Sequence, residues 1–244
     1  MAAVIAPHAE GCIDGALASW LLRRAGYESS DAIVGGGWSG VVQRVVDDMF
    51  LKGLGWVSIG FVDADDSARQ RRIEVESHAR RRVEELARRR RLAVNPRVGI
   101  VEVSQRPLAL RVTLSIGGRA RTGFIVFWCR QPSRSCDRGT VEDVLLEASR
   151  ELWDCPTSIP SHGCGSCDSG EREAARRLAR LWPPVLAAAC SGARAWYLVT
   201  STLDSDGRRC CGLDVTALLD EAGDRLAESA AVKAYIDLLR GLRV

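Results

Sequence analysis

Four apolar runs separated by three helical patterns fill the first hundred residues, and this alternation constrains the fold more than any other feature. Residues 3–7 read as a short strand, after which Ile13, Leu17, Trp20 and Leu21 share one helical face and Gly26 marks a stop. Residues 32–34 form a second apolar run, closed by Gly35, Gly36 and Gly37. Ser39 then reads as the cap of a helix with Val42, Val45, Val46, Met49 and Phe50 on its inner side. The third strand, residues 56–62, ends at Asp63-Ala64-Asp65-Asp66. A long helix from about Ser67 to Arg91 carries the stripe Val75, Ala79, Val83 and Leu86 and is broken by Asn95-Pro96, before a fourth strand at 98–103. The sum predicts an α/β fold, an open, mostly parallel sheet flanked by helices.

Further along, residues 111–116 alternate apolar and polar side chains as a half-exposed antiparallel strand does, Gly117-Gly118 marks a turn, and 124–128 read as another strand. Residues 140–152 are helical by period, and helix-like patterns dominate from 171 onward. The division predicted is an α/β core with added antiparallel strands over 1–130, and a mainly helical extension over 131–244 that packs on it. With 244 residues, 46% of them hydrophobic, such a chain can bury a core without metals or disulfides. It has no apolar run of about 18 residues and no basic segment before its first apolar run, so a cytoplasmic protein without membrane contact is expected. Its oligomeric state is not legible.

Ligands of open parallel sheets collect beyond the carboxyl ends of the strands. There the chain places Glu10, Gly11 and Asp14 after strand one, and Asp63, Asp65 and Asp66 after strand three. If the two strands are neighbours, four or five carboxylates converge. Such a cluster repels itself unless a hard cation neutralises it, and Mg²⁺ takes a few carboxylates plus water and phosphate oxygens. Gly11 leaves room for a phosphate at the first helix N-terminus. Alternation in Asp63-Ala64-Asp65 points both aspartates to one side if the stretch is extended. The competing explanation is that acids at helix starts serve capping and the dipole alone.

Glu10-Gly11 with Asp14 after the first strand, and Asp63-x-Asp65 after the third, resemble the Toprim domain. That family includes type IA and type II topoisomerases, bacterial-type primases, nucleases of the overcoming-lysogenization-defect class and recombination proteins. The resemblance implies a Toprim/Rossmann-like fold and phosphoryl transfer, with Glu10 as general acid or base. It also implies Mg²⁺ or Mn²⁺ held by Glu10, Asp63 and Asp65, with Gly11, Asp14 and Asp66 around them. Gly139-Thr-Val-Glu-Asp resembles a Gly-x-x-Glu-Asp segment of an archaeal group of uncharacterised Toprim-like proteins. Haloacid-dehalogenase-like enzymes place their DxD after strand one, where this chain has Glu-Gly. The substrate implied is DNA or RNA, and the alternative is a non-catalytic nucleic-acid- or protein-binding module on the same fold.

Charge adds little, because 34 basic and 31 acidic residues leave a net +3. Lys52 and Lys233 are the only lysines, so the arginine excess reflects codon usage as readily as phosphate binding. Arg88, Arg89, Arg90 and Arg91 are the cluster best suited to a nucleic-acid backbone, although Glu76–Arg80, Glu84–Arg88 and Glu85–Arg89 have ion-pair spacing. The run Gly35 to Gly40 lacks the Lys-Ser/Thr of a phosphate loop and reads as a βα turn that can wall the site. Thr140 with Asp143 reads as a capping box. Cys155, His162, Cys164 and Cys167 have the donors for a structural Zn²⁺ or for a disulfide. His8 reads as structural.

Overall fold

The structure, a computed structural model, describes residues 4–28, 30–52, 55–92, 95–152, 219 and 223–242. The described elements are β1 (Val4–Ala9), α1 (Cys12–Arg24), β2 (Ile33–Val34), α2 (Gly37–Leu51), β3 (Trp56–Asp63), α3 (Ala68–Arg89), β4 (Arg97–Gln105), β5 (Leu108–Ile116), β6 (Arg119–Trp128), α4 (Val141–Leu152) and, near the end, α5 (Ala230–Gly241). One six-stranded sheet runs in the order β2-β1-β3-β6-β5-β4. The pairs β2–β1, β1–β3 and β3–β6 are parallel, and β6–β5 and β5–β4 are antiparallel. The fold is therefore α/β, with helices over both faces and an antiparallel edge.

Period-2 alternation divides the strands between two cores. Ile59, Phe61, Phe124, Val126 and Trp128 pack with α1, α4 and α5, whereas Val62, Ile125 and Phe127 pack with α2 and α3. Each such side chain, fully buried, contributes about 1.5–3 kcal/mol of transfer free energy. On the α2 face the sheet carries Gly60 and Gly123, where a Cβ would stand 2.7 Å from Val41 Cγ1 and 2.8 Å from Val45 Cγ1. Helix α2 thus lies close on the strands, its buried stripe of Val41, Val42, Val45, Val46, Met49 and Phe50 spaced at three and four residues.

Two expectations are corrected. The strand after α3 does not extend the parallel sheet: β4 lies at the far edge, antiparallel to β5, and the parallel neighbour of β3 is β6. The sequence carries the reason. Residues 124–128 are uniformly apolar, as a strand between two helical layers requires, while β4 alternates half-buried and exposed residues as an edge strand can. Ser39 does not cap α2, which begins at Gly37 after Gly36 in a left-handed conformation. Ser67 does cap α3, accepting the Gln70 N–H at 3.2 Å.

Candidate functional site at the ends of β1 and β3

Strand β1 connects to β2 on one side through α1, and the chain returns across it through α2 to β3 on the other. Helices α1 and α2 cover opposite faces, so the connections diverge between β1 and β3. That divergence makes the carboxyl ends of the two strands a topological switch point, the usual ligand position in such sheets. Glu10 follows β1 there, and Asp63 ends β3.

The two meet directly. Glu10 Oε1 accepts the Asp63 backbone N–H at 2.7 Å, and the carboxylate also takes the Trp38 N–H at the start of α2. A Cβ on Gly37 would lie 3.9 Å from Glu10 Oε2, so this one glycine of the run stands beside the carboxylate. Burial raises the Glu10 pKa above its ordinary value; the Asp63 N–H and the Arg71 charge oppose this, and the Asp65 charge adds to it.

Asp63 and Asp65 have diverged in role. Asp63 Oδ1 accepts the Val141 N–H at 3.1 Å, tying the end of β3 to the N-terminus of α4. Beside it the Thr140 N–H donates to Asp143 Oδ2 at 3.1 Å, one half of the predicted capping box. The extended alternation of Asp63-Ala64-Asp65 does not continue: Asp65 turns left-handed at φ +48°, which aspartate tolerates better than most residues. Its side chain pairs with Arg71 of α3, which also holds Glu74 at 3.0 Å and lies 4.8 Å over the Trp38 ring. Among the described residues, no three His, Cys, Asp or Glu side chains stand together as a ready metal cage.

The remaining expected residues flank this centre. Asp14, 6% exposed, folds back over the α1 N-cap, where a Cβ on Gly11 would lie 2.9 Å from its Oδ2. Asp66 is exposed on the turn after β3 and lines a cleft of about 510 Å³ with Asp65, Ser67, Arg71, Arg130 and Arg138. Arg88, Arg89, Arg90 and Arg91 are not brought to the site. They lie at and beyond the far end of α3, about 30 Å of helix away. Of the three ion pairs expected on that helix, Glu85–Arg89 forms among the described residues, at 2.5 Å. The candidate set Cys155, His162, Cys164 and Cys167 lies outside the described residues.

Sequence reasoning missed the loop that closes the cleft. Cys129 and Cys136 form a disulfide with Cα atoms 4.9 Å apart, and the Arg130 N–H donates to Arg138 O at 2.8 Å. Gly139 and Asp65 exchange both backbone hydrogen bonds, at 3.0 and 2.8 Å, which fastens this loop to the acidic site. Gly139 has φ +142° and its Cβ position is 2.2 Å from Arg130 N, so only glycine fits. The available signal was two cysteines seven residues apart around a polar turn. His8, 1% exposed, donates its Nε2–H to Asp48 Oδ2 at 2.9 Å and thus serves the contact between β1 and α2.

No family model matches this sequence, and comparisons with curated proteins and with solved structures give no match either. Among the described residues no helix is long and apolar enough to cross a membrane.

Proposed function

We propose that the chain is a Toprim-like, Mg²⁺-dependent phosphoryl-transfer protein that hydrolyses nucleic-acid phosphodiesters. The observation that carries the reading is the 2.7 Å contact between Glu10 Oε1 and the Asp63 N–H, which joins the two acidic motifs across neighbouring strands. Glu10 is the proton-transfer group, since a carboxyl whose pKa is raised by burial works closer to neutral pH. Glu10, Asp63 and Asp65 are the residues that would hold Mg²⁺ or Mn²⁺. Mg²⁺ is typically held by one or two protein carboxylates, with waters and substrate phosphates completing its shell. When bound, the ion would supply charge neutralisation at a phosphoryl oxygen.

A second reading, a non-catalytic binding module on the same fold, rests on the present partners of these acids. Asp63 caps α4 and Asp65 is paired with Arg71, so each already has a structural use.

Titration calorimetry with Mn²⁺ and Mg²⁺ separates the two. Asparagine keeps a capping oxygen at 63 and tolerates the left-handed backbone at 65, so the Asp63→Asn/Asp65→Asn variant retains both backbone roles. Specific binding by the wild type that is lost in the variant supports the catalytic reading and predicts metal-dependent cleavage of oligonucleotides. Equal heats from both proteins favour the binding module.

A further inference from the structure

We infer that Arg130 and Arg138 form a phosphate-binding arm over the cleft, a subsite for a phosphate ester of a nucleic-acid strand; the inference rests on the phosphodiester reading above. The one α3 arginine that lines this cleft is committed: Arg71 holds Asp65 and Glu74. Arg130 and Arg138 also line the cleft, yet neither has a carboxylate partner among the described residues. Two unpaired guanidiniums in a concave site leave ten N–H donors aimed at solvent, the donor geometry that suits phosphate oxygens.

Their placement is built rather than incidental. The loop carrying them is closed by Cys129–Cys136, cross-linked internally by Arg130 N–H to Arg138 O, and fixed to Asp65 through Gly139. A side chain at 139 would strike the Arg130 backbone, so the loop and the acidic turn hold one spacing. The cleft is consequently divided by charge, with Asp65 and Asp66 on the turn after β3, Glu74 on α3 beside the paired Arg71, and Asp143 on α4, against Arg130 and Arg138 on the loop. Uniform acidity would repel a polyanion. This division instead gives a strand a basic rest one step from the carboxylates.

The test uses the full chain and a fluorescein-labelled phosphorothioate oligothymidylate 12-mer, followed by anisotropy at several salt concentrations. Each phosphate contact to a single strand contributes about 0.7 to the slope of log affinity against log salt. Arg130→Gln/Arg138→Gln should therefore lower the slope by about 1.4 and weaken binding about 25-fold at 0.1 M salt. Arg88→Gln/Arg89→Gln/Arg90→Gln/Arg91→Gln should change both much less. Thymidine monophosphate as competitor distinguishes the source: displacement of the 12-mer at low millimolar concentration marks a mononucleotide phosphate, and no displacement marks a strand, both consistent with the two-arginine subsite. Unchanged slope and affinity in the double variant overturn the inference, as does a wild type that binds neither probe. The calorimetric test of Asp63 and Asp65 is independent of these arginines, so failure here and failure of the metal-site reading give different results.

Discussion

Asp48 of α2 holds together the frame on which the site stands, and its titration makes that testable. Its Oδ2 receives His8 Nε2 of β1 at 2.9 Å, Ser58 Oγ of β3 at 2.6 Å and Lys52 Nζ at 3.1 Å. Burial pushes this carboxyl up, but the hydrogen bonds from His8, Ser58 and Lys52 outweigh it and bring the pKa from 3.8 down to about 2. At 1.36 kcal/mol per pKa unit, the ionised form stabilises the fold by about 2 kcal/mol. Because the folded value is the lower one, this stability is present above pH 3.8 and is lost as pH falls through about 2. Asp48→Asn removes the titration while keeping an acceptor. Urea denaturation of wild type and variant should then differ by about 2 kcal/mol at pH 7, with equal m-values, and the gap should close as the pH is lowered from 4 toward 2. A gap that stays constant from pH 7 to pH 3 refutes the argument, because it assigns the loss to packing instead of charge.

Two further outcomes concern the elements around the cleft. The buried Tyr235 hydroxyl donates to Phe127 O at 3.0 Å and accepts the Cys129 N–H at 2.7 Å, so Tyr235→Phe should cost about 1–3 kcal/mol in chemical denaturation by leaving both groups unpaired. Gly139→Ala combines a strained backbone with a clash against Arg130 N and should cost about 2–6 kcal/mol; amide exchange at Asp65 should accelerate more than exchange in the β3 interior.

The parallel half of the fold was legible because its signals are local. Apolar stripes at helical spacing and short apolar strands sufficed to find β1, α1, β2, α2, β3 and α3 in order. Strand order is different in kind. The alternation along 97–105 suits an edge strand without saying which edge, and the decisive information sits in the uniform apolarity of 124–128, some twenty residues on. The acids of the site were legible as strand-end residues, but not their partners. Asp63 meets α4 and Asp65 meets Gly139 across separations of more than seventy residues, which spacing arguments cannot reach. Arg130 and Arg138 carried no local signal either, being two among many arginines in a chain with two lysines.

Arg71 decides how the two functional readings should be separated. It supplies the positive charge that makes Glu10 and Asp65 tolerable together, lowering the Glu10 pKa while pairing with Asp65. A cation entering between those acids must compete with it. The Asp65 carboxylate is 51% exposed, so the pair belongs to the partly solvated class whose strength is at most about 1 kcal/mol. Arg71→Gln frees Asp65 and removes a like charge from the path of the ion, and Mn²⁺ affinity should then rise by about fivefold, the equivalent of about 1 kcal/mol. The opposite reading makes the opposite prediction. If Asp65 serves only to anchor α3 to the turn after β3, Arg71→Gln lowers the melting temperature and leaves the metal heats unchanged. Measuring both on the same preparation shows whether the arginine is the counter-ion of an acidic site or one end of a structural pair.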